Sequence, residues 1–128
     1  MAGKTIKRSP EVAPDMKLYR VVTETTDSLP ETNQAHGMNM GHYERAIISV
    51  FPAGGANPTV QVLWWDSEAN AFVQEHTPIQ RAGVGVNVPY QFDVLSLGRI
   101  MFVAVTAGNA GGHTTKISVA GYNLDHTL

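Results

Sequence analysis

One apolar segment near the C-terminal end, residues 97–106, constrains the fold of this chain most strongly. It is rich in β-branched and aromatic residues, which favour a strand. Successive side chains of a strand point to opposite faces. Both faces are apolar here, with Ile100, Phe102 and Ala104 on one and Met101, Val103 and Val105 on the other. Such a strand is covered on both sides, so we predict a central strand that lies under a second sheet and under a further element, for which another subunit is one candidate.

The rest of the chain supplies further strands and no convincing helix. The predicted strands are 17–26, 43–52, 59–66, 71–77, 87–96 and 114–123, with a further short piece at 78–82. Turn-forming residues separate them, and Gly83 and Gly85 permit a sharp bend. Seven to eight short strands of this kind predict one all-β domain over residues 17–128, an antiparallel, jelly-roll-like β-sandwich. Residues 27–41 lack periodicity and are predicted to form a long loop.

Residues 1–16 differ from the domain that follows them. The basic residues Lys4, Lys7 and Arg8 precede two acidic ones, and prolines at positions 10 and 14 prevent regular structure. We predict an extended N-terminal arm. It is either a terminus without defined structure or an arm that contacts a neighbouring subunit or an acidic partner.

Charge and composition argue against several classes of function. A net charge of -2 disfavours a general nucleic-acid binder, and the lack of cysteine excludes disulfides and thiol catalysis. Charged residues make up 16% of the chain, below the usual share of about a quarter, so much of the surface is expected to be neutral. No apolar run is long enough to span a membrane, and the first residues lack the apolar core of a secretion signal. We therefore expect a protein made in a cytoplasm.

We do not expect an enzyme, because no catalytic motif can be recognised. The closest carboxylate pair, Asp66 and Glu68, lies at a predicted turn, where Asp is common for backbone reasons. The neighbouring Trp64 and Trp65 cannot form one platform for a sugar, because adjacent strand residues face opposite ways. We predict Trp64 in the core. Trp65 is either an anchor for a partner or packing on the other face.

Residues 36–42 contain the most suggestive short motif, two imidazoles on either side of two thioethers. These candidate ligands are His36, Met38, Met40 and His42. Thioethers with imidazole suit copper, particularly Cu(I). The other interpretation is a loop whose methionines pack on a neighbour.

The order of segments along the chain resembles a known group of proteins. The segments that carry the resemblance are the strand at 46–50, the glycine-rich turn at 53–55, and the strands at 62–66, 98–106 and 116–122. Residues 43–123 together resemble the cement or decoration proteins of tailed-bacteriophage capsids. The resemblance implies a jelly-roll or related sandwich, a homo-oligomer with a trimer as the expected number, and a position on the capsid surface across neighbouring major capsid proteins. It brings no catalytic residue and no cofactor.

We therefore expect a structural protein of a virion that acts by contact, without nucleic acid, membrane or cofactor. The predicted partner-binding residues are Lys4, Lys7, Arg8, Met38, Met40 and Trp65. Two alternatives stay open: a glycan-binding module of a phage fibre or knob, and a copper-binding sandwich that uses the motif at 36–42.

Overall fold

The computed structural model describes residues 16–124, which form a sandwich of two antiparallel sheets. Its nine strands are β1 (Lys17–Thr23), β2 (Met38–Asn39), β3 (Arg45–Ala53), β4 (Thr59–Asp66), β5 (Ala71–Val73), β6 (Ile79–Arg81), β7 (Tyr90–Leu95), β8 (Ile100–Ala107) and β9 (Thr114–Tyr122). The four-stranded sheet has the order β1-β9-β3-β7. The five-stranded sheet has the order β2-β8-β4, with β5 and β6 both paired to the remaining edge of β4. The predicted all-β sandwich is confirmed.

The strand pairing is nested, which gives the strand order of a jelly roll. β1 pairs with β9, β2 with β8, β3 with β7, and β4 with β5 and β6. The chain therefore runs as one long hairpin that is folded across both sheets. Every connection outside the β4-β5-β6 segment passes from one sheet to the other. β5 and β6 together take the place of a single strand of an eight-stranded jelly roll.

The predicted strands are found with adjusted ends, and the reasons lie in the backbone. β4 has the predicted bounds, whereas β1 stops at Thr23 because Glu24 adopts a positive φ of 62°. The predicted loop 27–41 contains the short strand β2 and a 3₁₀ turn, Gln34–His36. Asn33 caps this turn by accepting a hydrogen bond from the Ala35 N–H. No helix of residues 16–124 is long and apolar enough to cross a membrane.

The main core lies between the two sheets and is built from alternate residues of the central strands. Its fully buried members include Ile48, Val50, Val60, Val62, Met101, Val103, Val105 and Ile117. A second apolar cluster, Leu63, Phe72, Phe102 and Ala104, lies on the outer face of the five-stranded sheet. β8 contributes to both clusters, so the prediction that it is buried on both faces is confirmed.

The second face of β8 is covered by the chain itself, which corrects the suggestion that another subunit lies there. We call residues 24–37 the covering loop. Gly37 lies so close to this cluster that a Cβ there would come within 2.5 Å of Phe72 Cζ. The Phe72 N–H donates to the Glu31 carbonyl at 2.9 Å, and the Arg20 guanidinium lies 4.9 Å from the centre of the Phe102 ring. The doubly apolar strand is therefore no evidence for a second subunit.

Candidate contact surface

The basic residues predicted to bind a partner, Lys4, Lys7 and Arg8, lie outside the described residues. The same holds for the predicted arm as a whole, apart from Met16. Contact through the arm therefore stays a prediction.

The two methionines of the 36–42 motif face the interior. β2 pairs with β8, and the Met40 N–H donates to the Arg99 carbonyl at 3.0 Å. Met40 is 2% exposed and belongs to the main core, whereas Met38 is half-buried against it. Both line a cleft of about 200 Å³ beside Tyr43. Met40 thus packs within its own chain, and of the two only Met38 retains substantial exposed surface.

The four candidate copper ligands are divided among three clefts. His36 is paired with Glu31, with 3.1 Å between Nδ1 and Oε1, and lines a groove with Phe102. His42 lines a different cleft, and the methionines line the third. Within residues 16–124, no group of three His, Cys, Asp or Glu side chains could hold a metal ion. His36, the two methionines and His42 therefore line three different clefts, and copper binding by them stays a prediction.

The two tryptophans face opposite sides of β4, as predicted. Trp64 is 3% exposed in the main core; its Nε1 donates to Glu75 at 2.8 Å, and the Arg99 guanidinium lies 3.8 Å from the ring centre. Trp65 is half-buried against the second cluster and meets Phe72 edge-on, with 5.1 Å between ring centres. Trp65 therefore packs on the second face of the five-stranded sheet.

The pKa values of several groups are shifted further from neutrality, which does not suit acid–base catalysis. Burial raises the pKa of Tyr19 to about 12 and that of Tyr90 to about 12. The Tyr122 hydroxyl, at 2.8 Å, and then Arg45 lower the pKa of Asp93 despite some burial. Each shift stabilises the state that the group ordinarily has at neutral pH, whereas an acid–base catalyst needs a pKa moved towards neutrality. We therefore assign no proton-transfer role to these residues.

The loop between β6 and β7 is an apolar surface, where the sequence predicted a bend at Gly83 and Gly85 and the start of a strand at Asn87. We call residues 82–89 the valine loop. Val84, Val86 and Val88 are 64%, 61% and 42% exposed, and no residue of the loop carries a charge. The signal was present in the sequence, because valine alternates there with glycine and asparagine where polar turn residues are usual.

The valine loop is held in one shape by the neighbouring turn between β3 and β4. Asn57 Oδ1 accepts from the Gly85 N–H at 3.2 Å. Asn87 adopts a positive φ of 61°; its N–H donates to the Ala56 carbonyl at 2.8 Å, and its Oδ1 accepts from the Gly55 N–H at 2.7 Å. These bonds fix the backbone from both sides, so the valines are presented on a preorganised loop.

A preorganised apolar loop of this kind can bind by burial. Burying a valine side chain completely contributes about 1.5–3 kcal/mol, so the exposed parts of three valines represent a substantial favourable term for a partner that covers them. Because the backbone is already held, little conformational entropy remains to be lost on binding. The valine loop is therefore the strongest candidate contact surface among the described residues.

Comparisons with known proteins added no relative. No family model, no curated protein and no solved structure matched the chain.

Proposed function

We propose that this protein is a structural protein of a virus particle, a cement or decoration protein that binds neighbouring capsid proteins. The observation that carries the proposal is the valine loop, because it places three exposed valines on a backbone held by Asn57 and Asn87. Apolar side chains that are exposed together on a surface are typical of sites of protein–protein contact. Such a surface suits a protein that stays bound to its partners.

The neighbouring turns extend this surface. The Asn57 N–H donates to the Gly108 carbonyl at 3.1 Å, and His113 Nδ1 lies 2.7 Å from the Gly54 carbonyl oxygen. The loops 54–58, 82–89 and 108–113 therefore lie side by side at one end of the sandwich. A specific interface buries roughly 1,600 Å² in total, which exceeds one short loop, so the valine loop would be the apolar centre of a contact made by all three.

Because a virus particle repeats the same capsid protein many times, a contact of modest affinity is sufficient for stable binding. A particle presents many equivalent capsid proteins, and a decoration protein that touches more than one of them gains avidity without new types of contact. Low charge at the three loops suits a partner surface that is itself neutral.

The test uses purified capsids of the virus that encodes the chain, prepared without this protein. Wild-type protein should co-sediment with them. The double variant Val84→Asp/Val86→Asp should weaken this binding by about a hundredfold or more, because two carboxylates would have to be desolvated at the centre of the contact. Val21→Asp is the matched control, since Val21 is 46% exposed on β1, outside the three loops. No binding of the wild type, or equal binding of both variants, contradicts the proposal.

A further inference from the structure

β7 is an edge strand with an open side. It is the last strand of the four-stranded sheet and pairs only with β3 among the described residues. The Ser96 N–H donates to the Glu44 carbonyl at 2.6 Å, which fixes the alternation of hydrogen bonds in the β3–β7 pair. Tyr90, Phe92 and Val94 therefore direct their backbone groups towards β3. Gln91, Asp93 and Leu95 direct theirs outwards.

A second contact confirms this alternation from the other side. Arg99 Nη2 donates to the Leu95 carbonyl at 2.8 Å, and Arg99 lies on the open side of β7. The register between β3 and β7 shows no bulge, and β7 contains no proline. The opposite edge, β1, is protected by an irregularity between Leu18 and Arg20. β7 has no such irregularity, but Arg99 occupies its outward Leu95 carbonyl, so an added strand would share or displace that one bond.

A cleft beside β7 would receive the inward side chains of an added strand. It has a volume of about 330 Å³ and lies between β7 and β6. Its lining is mixed: apolar side chains lie beside charged ones, and the residues are Glu75, Ile79, Arg81, Asp93, Val94, Leu95, Leu97 and Arg99. The Arg81 guanidinium lies 5.1 Å from the centre of the Phe92 ring, so an arginine rather than a strand covers this aromatic at the edge.

The chain itself contains a segment with the alternation that this edge requires. At least 15 residues precede Met16, and they include Glu11, Val12, Ala13 and Asp15, with prolines at positions 10 and 14. The two prolines are four residues apart, so in a strand their backbone nitrogens face the same side. If residues 11, 13 and 15 turn their N–H groups to β7, the positions without an N–H face away from it, where proline is tolerated.

Side-chain parity agrees with this arrangement. In an antiparallel pairing, residues 11, 13 and 15 would share the outer face with Leu95, Asp93 and Gln91, which keeps both new carboxylates in water. Val12 would then point to the inner side, beside Val94 and the cleft. We propose that β7 accepts residues 11–15 of a second copy of this chain as an added strand.

The added strand must come from a second copy, because residues 11–15 cannot reach β7 of their own chain. β1, which follows the segment, is at the far edge of the sheet, four strand spacings or about 19 Å from an added strand next to β7. Asp15 is only two residues from Lys17 and can lie at most about 8 Å from it. Residues 11–15 therefore cannot pair with β7 of their own chain. The exchange of segments between copies is a strand addition, and it joins copies independently of the valine loop.

The experiment measures the mass of the full chain by light scattering while a synthetic peptide of residues 1–15 is added. We expect a mass at least twice the monomer's 13.8 kDa, which excess peptide reduces to that of the monomer bound to peptide. A peptide N-methylated at Ala13 should compete at least about tenfold more weakly, because it lacks an N–H that faces β7. A peptide N-methylated at Val12, whose N–H faces away, should compete like the unmodified one.

Three outcomes would overturn the proposal: a monomeric full chain, an oligomer that the peptide does not dissociate, or equal effects of the two N-methyl groups. Because the assay contains no capsid, its failure is separate from failure of the proposed function. The double variant Val84→Asp/Val86→Asp should keep the mass of the wild type, whereas loss of the oligomer in that variant would assign the contact to the valine loop instead.

Discussion

Asn109 shows how one polar side chain ties the start of the sandwich to its end. It is fully buried; Nδ2 donates to the carbonyls of Val22 at 2.9 Å and Thr25 at 3.1 Å, and Oδ1 accepts from Thr115 Oγ1 at 2.8 Å. Replacing it with alanine leaves the Val22 carbonyl and the Thr115 hydroxyl buried without this partner, whereas Thr25 is exposed to water. We expect Asn109→Ala to lower the free energy of unfolding by about 2–4 kcal/mol, measured by urea denaturation.

The control for this prediction is Thr115→Val, which removes one hydroxyl from the same network. The double variant should lose less free energy of unfolding than the two single variants lose together, because the two side chains share a hydrogen bond. A loss below about 1 kcal/mol for Asn109→Ala would show that water or a rearranged backbone replaces the amide.

Glu31 makes the covering loop sensitive to acid. Partial burial alone would raise the pKa of its carboxyl, but hydrogen bonds from His36 and the Asn33 N–H lower it below its ordinary value. A carboxyl with a depressed pKa in the folded state stabilises the fold above its unfolded pKa, and this contribution is lost as the pH falls from there through the folded pKa. Glu31→Gln should therefore be less stable than the wild type at pH 7, and this difference should shrink below about pH 4.5.

Urea midpoints measured from pH 7 to pH 3 would check this behaviour. Asp93, whose pKa is also lowered, is present in both proteins and cancels in the comparison. Glu68→Gln, in the exposed turn after β4, is the matched control for the loss of one carboxylate. A constant difference for Glu31→Gln would mean that the Glu31–His36 pair adds nothing to the stability of the loop.

At the scale of elements, the covering loop lies on the face of β8 for which a second subunit was one candidate cover. Gly37 has an ordinary φ of -87°, so an alanine there meets no backbone strain. Its Cβ would nevertheless fall 2.5 Å from Phe72 Cζ and 2.8 Å from Ile100 Cγ2. We expect Gly37→Ala to destabilise the protein by about 1–3 kcal/mol, because the loop must lift from the second cluster.

The same variant separates cover by the chain from cover by a partner. If the loop is the cover, the loss measured by urea denaturation should not depend on protein concentration. A loss that grows on dilution would point to an intermolecular contact at this face. Unchanged stability would show that Phe72 and Ile100 can move aside at little cost.

Local patterns in the sequence predicted the strands that are apolar or alternate clearly. β4 was predicted with its observed bounds, and the doubly buried character of β8 followed from its two apolar faces. β2 was missed because two residues show no periodicity. The cover over Phe102 was missed because residues 24–37 attach through backbone and charged groups rather than through an apolar stripe. The valine loop was missed because its glycines indicated a turn, and its exposure depends on Asn57, which is distant in sequence.

At the scale of the whole molecule, nested pairing makes the two sheets depend on each other. β9 lies between β1 and β3, so the two ends of the described chain must meet before the four-stranded sheet is complete. The chain also changes sheets at most connections, so neither sheet forms a continuous segment that could fold alone. Such non-local pairing is typical of slow folding. It also predicts that both sheets are lost in one transition.

Tryptophan fluorescence and amide exchange can test this cooperativity separately. Both tryptophans lie on β4 and Trp64 belongs to the main core, so their fluorescence reports on the five-stranded sheet and on its packing against the other sheet. The amides of Ile48 and Val119 report on the four-stranded sheet. We expect both probes to give the same urea midpoint, with refolding in milliseconds to seconds. If fluorescence changes at a lower urea concentration than the amides of β3 and β9, the five-stranded sheet opens first. The main core between the sheets would then not be the dominant source of stability, because its loss would leave the four-stranded sheet intact.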